Sequence, residues 1–202
     1  MFMRVISWDQ YLDTSYLLPL TSYLSITIGV FDGVHLGHQA LIQKICSPVP
    51  GPRSPIPTIV TFKQNPQKTL NPAAFTGDIL SLDQRLCMFE SMGIHLVVLI
   101  DFSDKFSKIT GRDFIDLLLA GRPVKMIALG RNFRCGNGLD TGAEEIRVLA
   151  DEKGVETWIA PSVLDEGQPV SSSRIRQALA AGQRAEAERM LGRSIESIQR
   201  QQ

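Results

Sequence analysis

Apolar residues along this chain keep two alternating rhythms. Short runs at 26–30, 58–62, 95–101, 124–130 and 155–160 are almost continuously hydrophobic, as strands covered on both faces should be. Between them, apolar positions recur every three or four residues, the period of a helix with one buried face. Ala40, Leu41, Ile42 and Ile45 share such a face after His38, and Leu86, Met88, Phe89 and Met92 do so in a helix starting at Asp83. Further helices are expected over 111–119, 141–153 and 184–191, with another opening at 170–176. Thr110 can cap the first of these, with Asp113 in its first turn, and Gly93, Gly121 and Gly154 stand where helices stop. Val5 and Ile6 suit a short edge strand, 8–12 a turn of helix, and 16–23 a connection into the central strand. Four prolines between 47 and 55 exclude regular structure there.

Strand and helix in alternation specify an α/β fold: a parallel sheet of five or six strands with helices on both faces. In such sheets ligands bind beyond the strand C-termini, near the point where the strand order reverses. Three polar segments marked by glycine or serine fall at that edge or at helix starts: 29–38, 130–138 and 170–176. Their convergence predicts one active site.

Composition narrows the class. The chain has 202 residues, enough for one domain with a substantial core. We expect that domain over 1–193 and a polar tail over 194–202. Lys+Arg and Asp+Glu both number 21, so no net field draws it to nucleic acid or to a membrane surface. The apolar run 96–100 is far too short to span a bilayer. Cys46, Cys87 and Cys135 are scattered and form no Cys-x-x-Cys pair. Free thiols in a reducing cytosol fit best, so a cytoplasmic location is expected.

The richest chemistry lies in Gly29-Val30-Phe31-Asp32-Gly33-Val34-His35-Leu36-Gly37-His38. A strand, a glycine turn and a helix start present backbone N–H groups and a positive dipole end to phosphate. Gly33 and Gly37 allow a sharp turn and close approach. His35 and His38 are three apart and can point into one pocket. No cysteine or carboxylate follows at zinc spacing. The pair suggests charge stabilisation during phosphoryl or nucleotidyl transfer; the plainer alternative is a pair of incidental surface histidines. Farther on, Ser171-Ser172-Ser173-Arg174-Ile175-Arg176 places three hydroxyls and two guanidiniums at a helix start. One serine is explained as a cap; the rest together suit a triphosphate.

The turn resembles the His-x-Gly-His signature of the nucleotidyltransferase superfamily. Residues 29–39 are most similar to the adenylyltransferase (FAD synthetase) module of the bacterial bifunctional riboflavin kinase/FMN adenylyltransferase family. Residues 130–136 resemble that family's Gly-x-(Asp/Asn)-Phe-x-Phe-Gly, with Cys135 in place of phenylalanine. Residues 61–66 resemble Thr-Phe-x-Pro-His-Pro, with only Pro66 of the Pro-His-Pro kept, and Ser173 replaces a threonine in Ser-Ser-Thr-x-Ile-Arg. Leu191-Gly192-Arg193 resembles the module's exit. Nine residues follow Arg193, too few for the family's β-barrel kinase module.

The resemblance implies a Rossmann-like nucleotidyltransferase fold and an FMN adenylyltransferase that makes FAD and pyrophosphate from ATP and FMN, without riboflavin kinase activity. His35, His38 and Arg176 would be catalytic. Gly29, Phe31, Asp32, Gly33, Gly37, Ser171, Ser172 and Ser173 would bind ATP. Phe62, Asn65 and Asn132 would bind the flavin or line the site. Mg²⁺ would arrive with ATP, and Asp32 is the nearest candidate for an indirect contact with it. A separate riboflavin kinase would supply FMN. Two alternatives remain: a nucleotidyltransferase with another acceptor, or a flavin- or nucleotide-binding module without catalysis.

Overall fold

The structure is a computed structural model and describes residues 2–13, 23–48 and 55–196. Its strands are β1 (Arg4–Ser7), β2 (Leu24–Ile28), β3 (Ile56–Phe62), β4 (Leu96–Ile100), β5 (Val124–Gly130), the two-residue β6 (Arg134–Cys135) and β7 (Thr141–Gly142), then β8 (Glu156–Ala160), β9 (Leu164–Asp165) and β10 (Gln168–Pro169). Its helices are α1 (Trp8–Leu12), α2 (Leu36–Cys46), α3 (Gln67–Leu70), α4 (Leu82–Ser91), α5 (Asp104–Ser107), α6 (Gly111–Leu119), α7 (Ala143–Asp151), α8 (Ser172–Ala180) and α9 (Arg184–Leu191).

A six-stranded sheet runs in the order β1-β4-β3-β2-β5-β8, with every pairing parallel. Side-chain alternation divides the core into two layers. Ile26, Ile28, Val60 and Val98 face a cluster built with α1, α6 and α7, including Tyr11, Phe114, Leu118 and Ile146. Ile59, Val97, Met126 and Ala128 face Leu41, Ile42, Ile45 and Phe89 of α2 and α4. Helices α8 and α9 add a small core of Ile175, Ala178, Ala187, Met190 and Leu191. After β2 the chain builds outward through β3 and β4, then returns to place β5 on the other side of β2. The order therefore reverses between β2 and β5, and ligand clefts open at such reversals.

The expected six-strand limit is the one observed, and the edge strand near Val5 is β1. Two boundaries differ for identifiable reasons. Helix α2 begins at Leu36, not after His38, because the His35 side chain caps it by accepting from His38 N. Helix α7 begins at Ala143 because Thr141 is taken into the β6–β7 pair. The connection expected over 16–23 lies largely outside the described residues, as do 49–54 of the proline loop and 197–202 of the tail.

Candidate active site

A cleft of about 470 Å³ opens at the C-terminal edge of the sheet, over the ends of β2 and β5. Its volume is in the range of small-molecule sites. The segments 29–38 and 130–136 both line it, and Val170 brings the start of the third.

The first segment is wound tightly. Phe31, Gly33 and Val34 all have positive φ, at 55°, 82° and 39°. That conformation is costly for phenylalanine and more so for β-branched valine, by roughly 1–3 kcal/mol each. Within the turn, Val34 N donates to Phe31 O at 3.1 Å. The winding buries the Phe31 ring completely, edge-on to Phe89 at 5.7 Å and beside His38 at 4.9 Å. Phe31 and Gly33 thus support the cradle from beneath, while Gly29 and Gly37 line the cleft itself. A Cβ on Gly37 would stand 3.2 Å from the His35 ring, so this glycine makes room for the imidazole.

His35 and His38 stack, with ring centroids 3.6 Å apart and planes inclined by 17°. Both line the cleft. His35 Nδ1 accepts from His38 N at 3.4 Å, whereas His38 Nδ1 is buried and makes no hydrogen bond. Burial, aided by Arg193, lowers His35 to about 4. Burial, with His35 and Arg85 nearby, holds His38 well below the ordinary histidine range. The pair is therefore neutral at pH 7 rather than a fixed cation: His35, its Nδ1 already accepting, offers its other nitrogen as a donor, and His38 offers one N–H and one lone pair.

Asp32 joins the histidine turn to the distant serine/arginine segment. Its Oδ1 accepts from Ile79 N at 2.8 Å and Leu80 N at 3.3 Å. Its Oδ2 accepts from Arg176 Nη1 at 2.6 Å, and its backbone carbonyl accepts from Ser172 Oγ at 2.8 Å. Burial, with Asp78 nearby, pushes the Asp32 carboxyl up, and the two amides and the Arg176 guanidinium offset part of that rise. Arg176 uses Nη1 in its bond to Asp32 and stays partly exposed. Ser171 caps α8 by accepting from Arg174 N, and Ser173 is exposed. The three serines and Arg176 flank the cleft instead of lining it; Asp32 is what connects them to it.

The other expected residues divide. Phe62, Asn65 and Asn132 all line the cleft. Asn132 is exposed. Asn65 is buried and occupied: it donates to Asp78 Oδ1 at 3.2 Å and accepts from Gln67 N at 3.1 Å, which starts α3. Cys135 lines the cleft beside Phe133, and burial pushes its thiol up to about 12. Cys46, Cys87 and Cys135 are all free thiols.

The sequence reading did not single out Phe102 and Phe106. They extend Phe62 into a wall of edge-to-face rings, with centroids 5.7–6.2 Å apart. Arg85 has a structural place beneath the site. Its buried guanidinium donates to Val30 O, Thr61 Oγ1, Phe62 O and Lys63 O, fixing the ends of β2 and β3 below the cleft. No cluster of three or more metal-ligating side chains occurs among the described residues. No described helix is long and apolar enough to cross a membrane.

A parallel sheet carrying His-x-Gly-His at the mouth of its first cleft helix defines a Rossmann-like nucleotidyltransferase. The family model for FAD synthetase matches residues 19–174. The chain belongs to the FAD synthetase family. It is 31% identical over 169 residues to the bifunctional riboflavin kinase/FMN adenylyltransferase of Escherichia coli K12, covering 83% of this chain and 53% of the relative. It is 25% identical over 168 residues to a FAD synthetase of Listeria monocytogenes, covering 83% and 68% respectively. The chain thus spans about half the length of the bifunctional relatives it matches. A crystal structure of a macrolide-efflux protein from Streptococcus pneumoniae superposes with a TM-score of 0.77 at 27% identity, over 96% of this chain and 72% of that one.

Proposed function

We propose that this protein is an FMN adenylyltransferase, transferring AMP from ATP to FMN to give FAD and pyrophosphate. The observation that carries this reading is a single cleft lined by two unlike groups of side chains. The first is the two stacked, neutral imidazoles at the start of α2; the second is the wall of Phe62, Phe102 and Phe106. The first suits a polyphosphate, the second a flat apolar ring system.

In this mechanism an FMN phosphate oxygen attacks the α-phosphorus of ATP in line. The bond from that phosphorus to the bridging oxygen breaks, and pyrophosphate leaves with the electron pair. No protein nucleophile takes part; the residues position the groups and stabilise charge. His38 stands in the first turn of α2, where backbone N–H groups and the helix dipole favour anions. Incoming phosphate raises the proton affinity of both imidazoles, so His35 and His38 bind the charge more strongly as it grows. Ser171, Ser172, Ser173 and Arg176 hold the β- and γ-phosphates from the flank, and Asn132 offers a donor and an acceptor from the cleft wall.

Mg²⁺ would supply charge neutralisation on the phosphates. Asp32 is taken up by Ile79, Leu80 and Arg176, so the ion fits best as part of MgATP, held by phosphates and water. Residues 1–193 act as one nucleotidyltransferase unit, with 194–202 as its tail. Three free cysteines suit the reducing cytoplasm. FMN would come from an enzyme that phosphorylates riboflavin.

The test is product chromatography after incubation with MgATP and either FMN or riboflavin. FAD and pyrophosphate should form from FMN, and nothing should form from riboflavin. Turnover only with a different acceptor, or tight FMN binding without pyrophosphate release, would contradict the reading.

A further inference from the structure

We propose that Arg193 is a positioning residue for His35: from just beyond α9 it pins the carbonyls of the strained turn that aims His35 into the cleft. This rests on His35 acting on phosphate, as proposed above. Arg193 lies outside the stretch matched by the family model, and its sequence context suggests no more than an exit from the domain.

The contacts are specific. Arg193 Nη2 donates to Gly33 O at 2.6 Å, and Nη1 donates to Val34 O at 3.1 Å and to Leu191 O at 3.2 Å. Gln39 Nε2 donates to the same Val34 and Leu191 carbonyls, both at 2.9 Å. The exit segment and the histidine turn are thus bound through shared acceptors. The chain also presses close at this point. Gly192 has φ of 68°, and a Cβ there would lie 2.6 Å from Leu36 Cδ2 in the first turn of α2.

Strained backbone persists only where its surroundings over-determine it. Phe31 and Val34 carry that strain, and the turn's internal bond from Val34 N to Phe31 O constrains only one end of it. A planar guanidinium can reach Gly33 O and Val34 O together; a lysine ammonium has no such fork. His35 is the next residue. Releasing both carbonyls lets the turn relax and moves the imidazole relative to its stacking partner His38.

The charge has a second effect. Burial lowers Arg193 to about 10, so it stays cationic at neutral pH. There it adds to the burial that keeps His35 neutral. The other groups near the pair are His38, stacked on His35, and Arg85, which acts on His38. Asp32 is neutralised by Arg176.

Arg193→Gln and Arg193→Lys in the full chain separate position from charge. The readouts are kcat, the KM for ATP, and imidazole titration by nitrogen NMR without substrate. With three histidines in the chain, single substitutions assign the signals. Arg193→Gln should lower kcat about 10- to 100-fold, the scale of a small misplacement. Its KM for ATP should stay within about two-fold, and its His35 midpoint should rise above that of the native chain. Arg193→Lys should keep the low midpoint and still lose kcat. Native kcat in either variant overturns the proposal, as does a loss of kcat in Arg193→Gln with an unmoved His35 midpoint. Should Arg193→Gln not fold, Arg193→Lys decides through kcat alone. Should the native chain make no FAD, the titration still decides whether Arg193 acts on His35.

Discussion

His38→Ala should lower the rate of FAD formation by about 100- to 1,000-fold, the scale for removing one preorganised donor to a developing charge. Three features set this expectation. The ring lines the cleft. Its Nδ1 is buried without a partner, and buried polar atoms are rarely left unpaired unless a ligand completes them. It also stacks on His35 and touches Phe31, so its position is fixed before substrate arrives. Binding of FMN should be nearly unchanged, since the aromatic wall is made elsewhere. Because His35 and His38 are both neutral well below pH 7, their protonation in the free enzyme should not shape the rate between pH 6 and 8. Steady-state kinetics with MgATP and FMN check both points; undiminished turnover in His38→Ala removes the mechanism.

Asp32→Ala should be nearly as damaging, for a different reason. Deleting the carboxylate strips an acceptor from Ile79 N, Leu80 N and Arg176 together. Leaving a partly buried guanidinium and two amides unpaired costs roughly 2–4 kcal/mol of stability. Asp32→Asn keeps one acceptor oxygen and the shape but releases the charge-assisted bond to Arg176. It should raise the KM for ATP by about ten- to one-hundred-fold, which is the worth of a charged hydrogen bond. Urea midpoints and ATP saturation curves measure the two effects. An Asp32→Asn variant with native ATP affinity would show that Asp32 does not set the place of Arg176.

Much of this was legible along the chain. Continuous β-branched runs marked the sheet because strands buried on both faces have no polar alternation to hide them. Helices 111–119 and 184–191 were readable to the residue, one bounded by Thr110 and the other by Gly182 and Gly192. Short α3 and α5 and the pairs β6–β7 and β9–β10 were not. Their few residues carry no periodic signal, and tertiary bonds hold them: Arg174 grips Asp165, Gln168 and Pro169, and Arg134 grips Leu139 and Asp140.

The site divides in the same way. His35 and His38 were readable because their turn is local and its glycines announce it. The bond between Asp32 and Arg176 spans 144 residues and leaves no mark on sequence. Asn65, expected beside the flavin, is largely committed to Asp78 and to the start of α3, because a proline and a short helix follow it. Arg193 marked only the exit from the module and not its contact with the histidine turn, since it acts through backbone carbonyls and any sequence supplies those.

The central claim is that the stacked histidines and the Ser172–Arg176 side chains, linked by Asp32, serve one polyphosphate. A crystal structure with FMN and a non-hydrolysable ATP analogue measures it. The account predicts phosphate oxygens of one triphosphate within hydrogen-bonding distance of both His38 and Arg176, with the flavin ring against Phe62. A triphosphate that touches only one of these two groups, or that binds outside the cleft between β2 and β5, would contradict it.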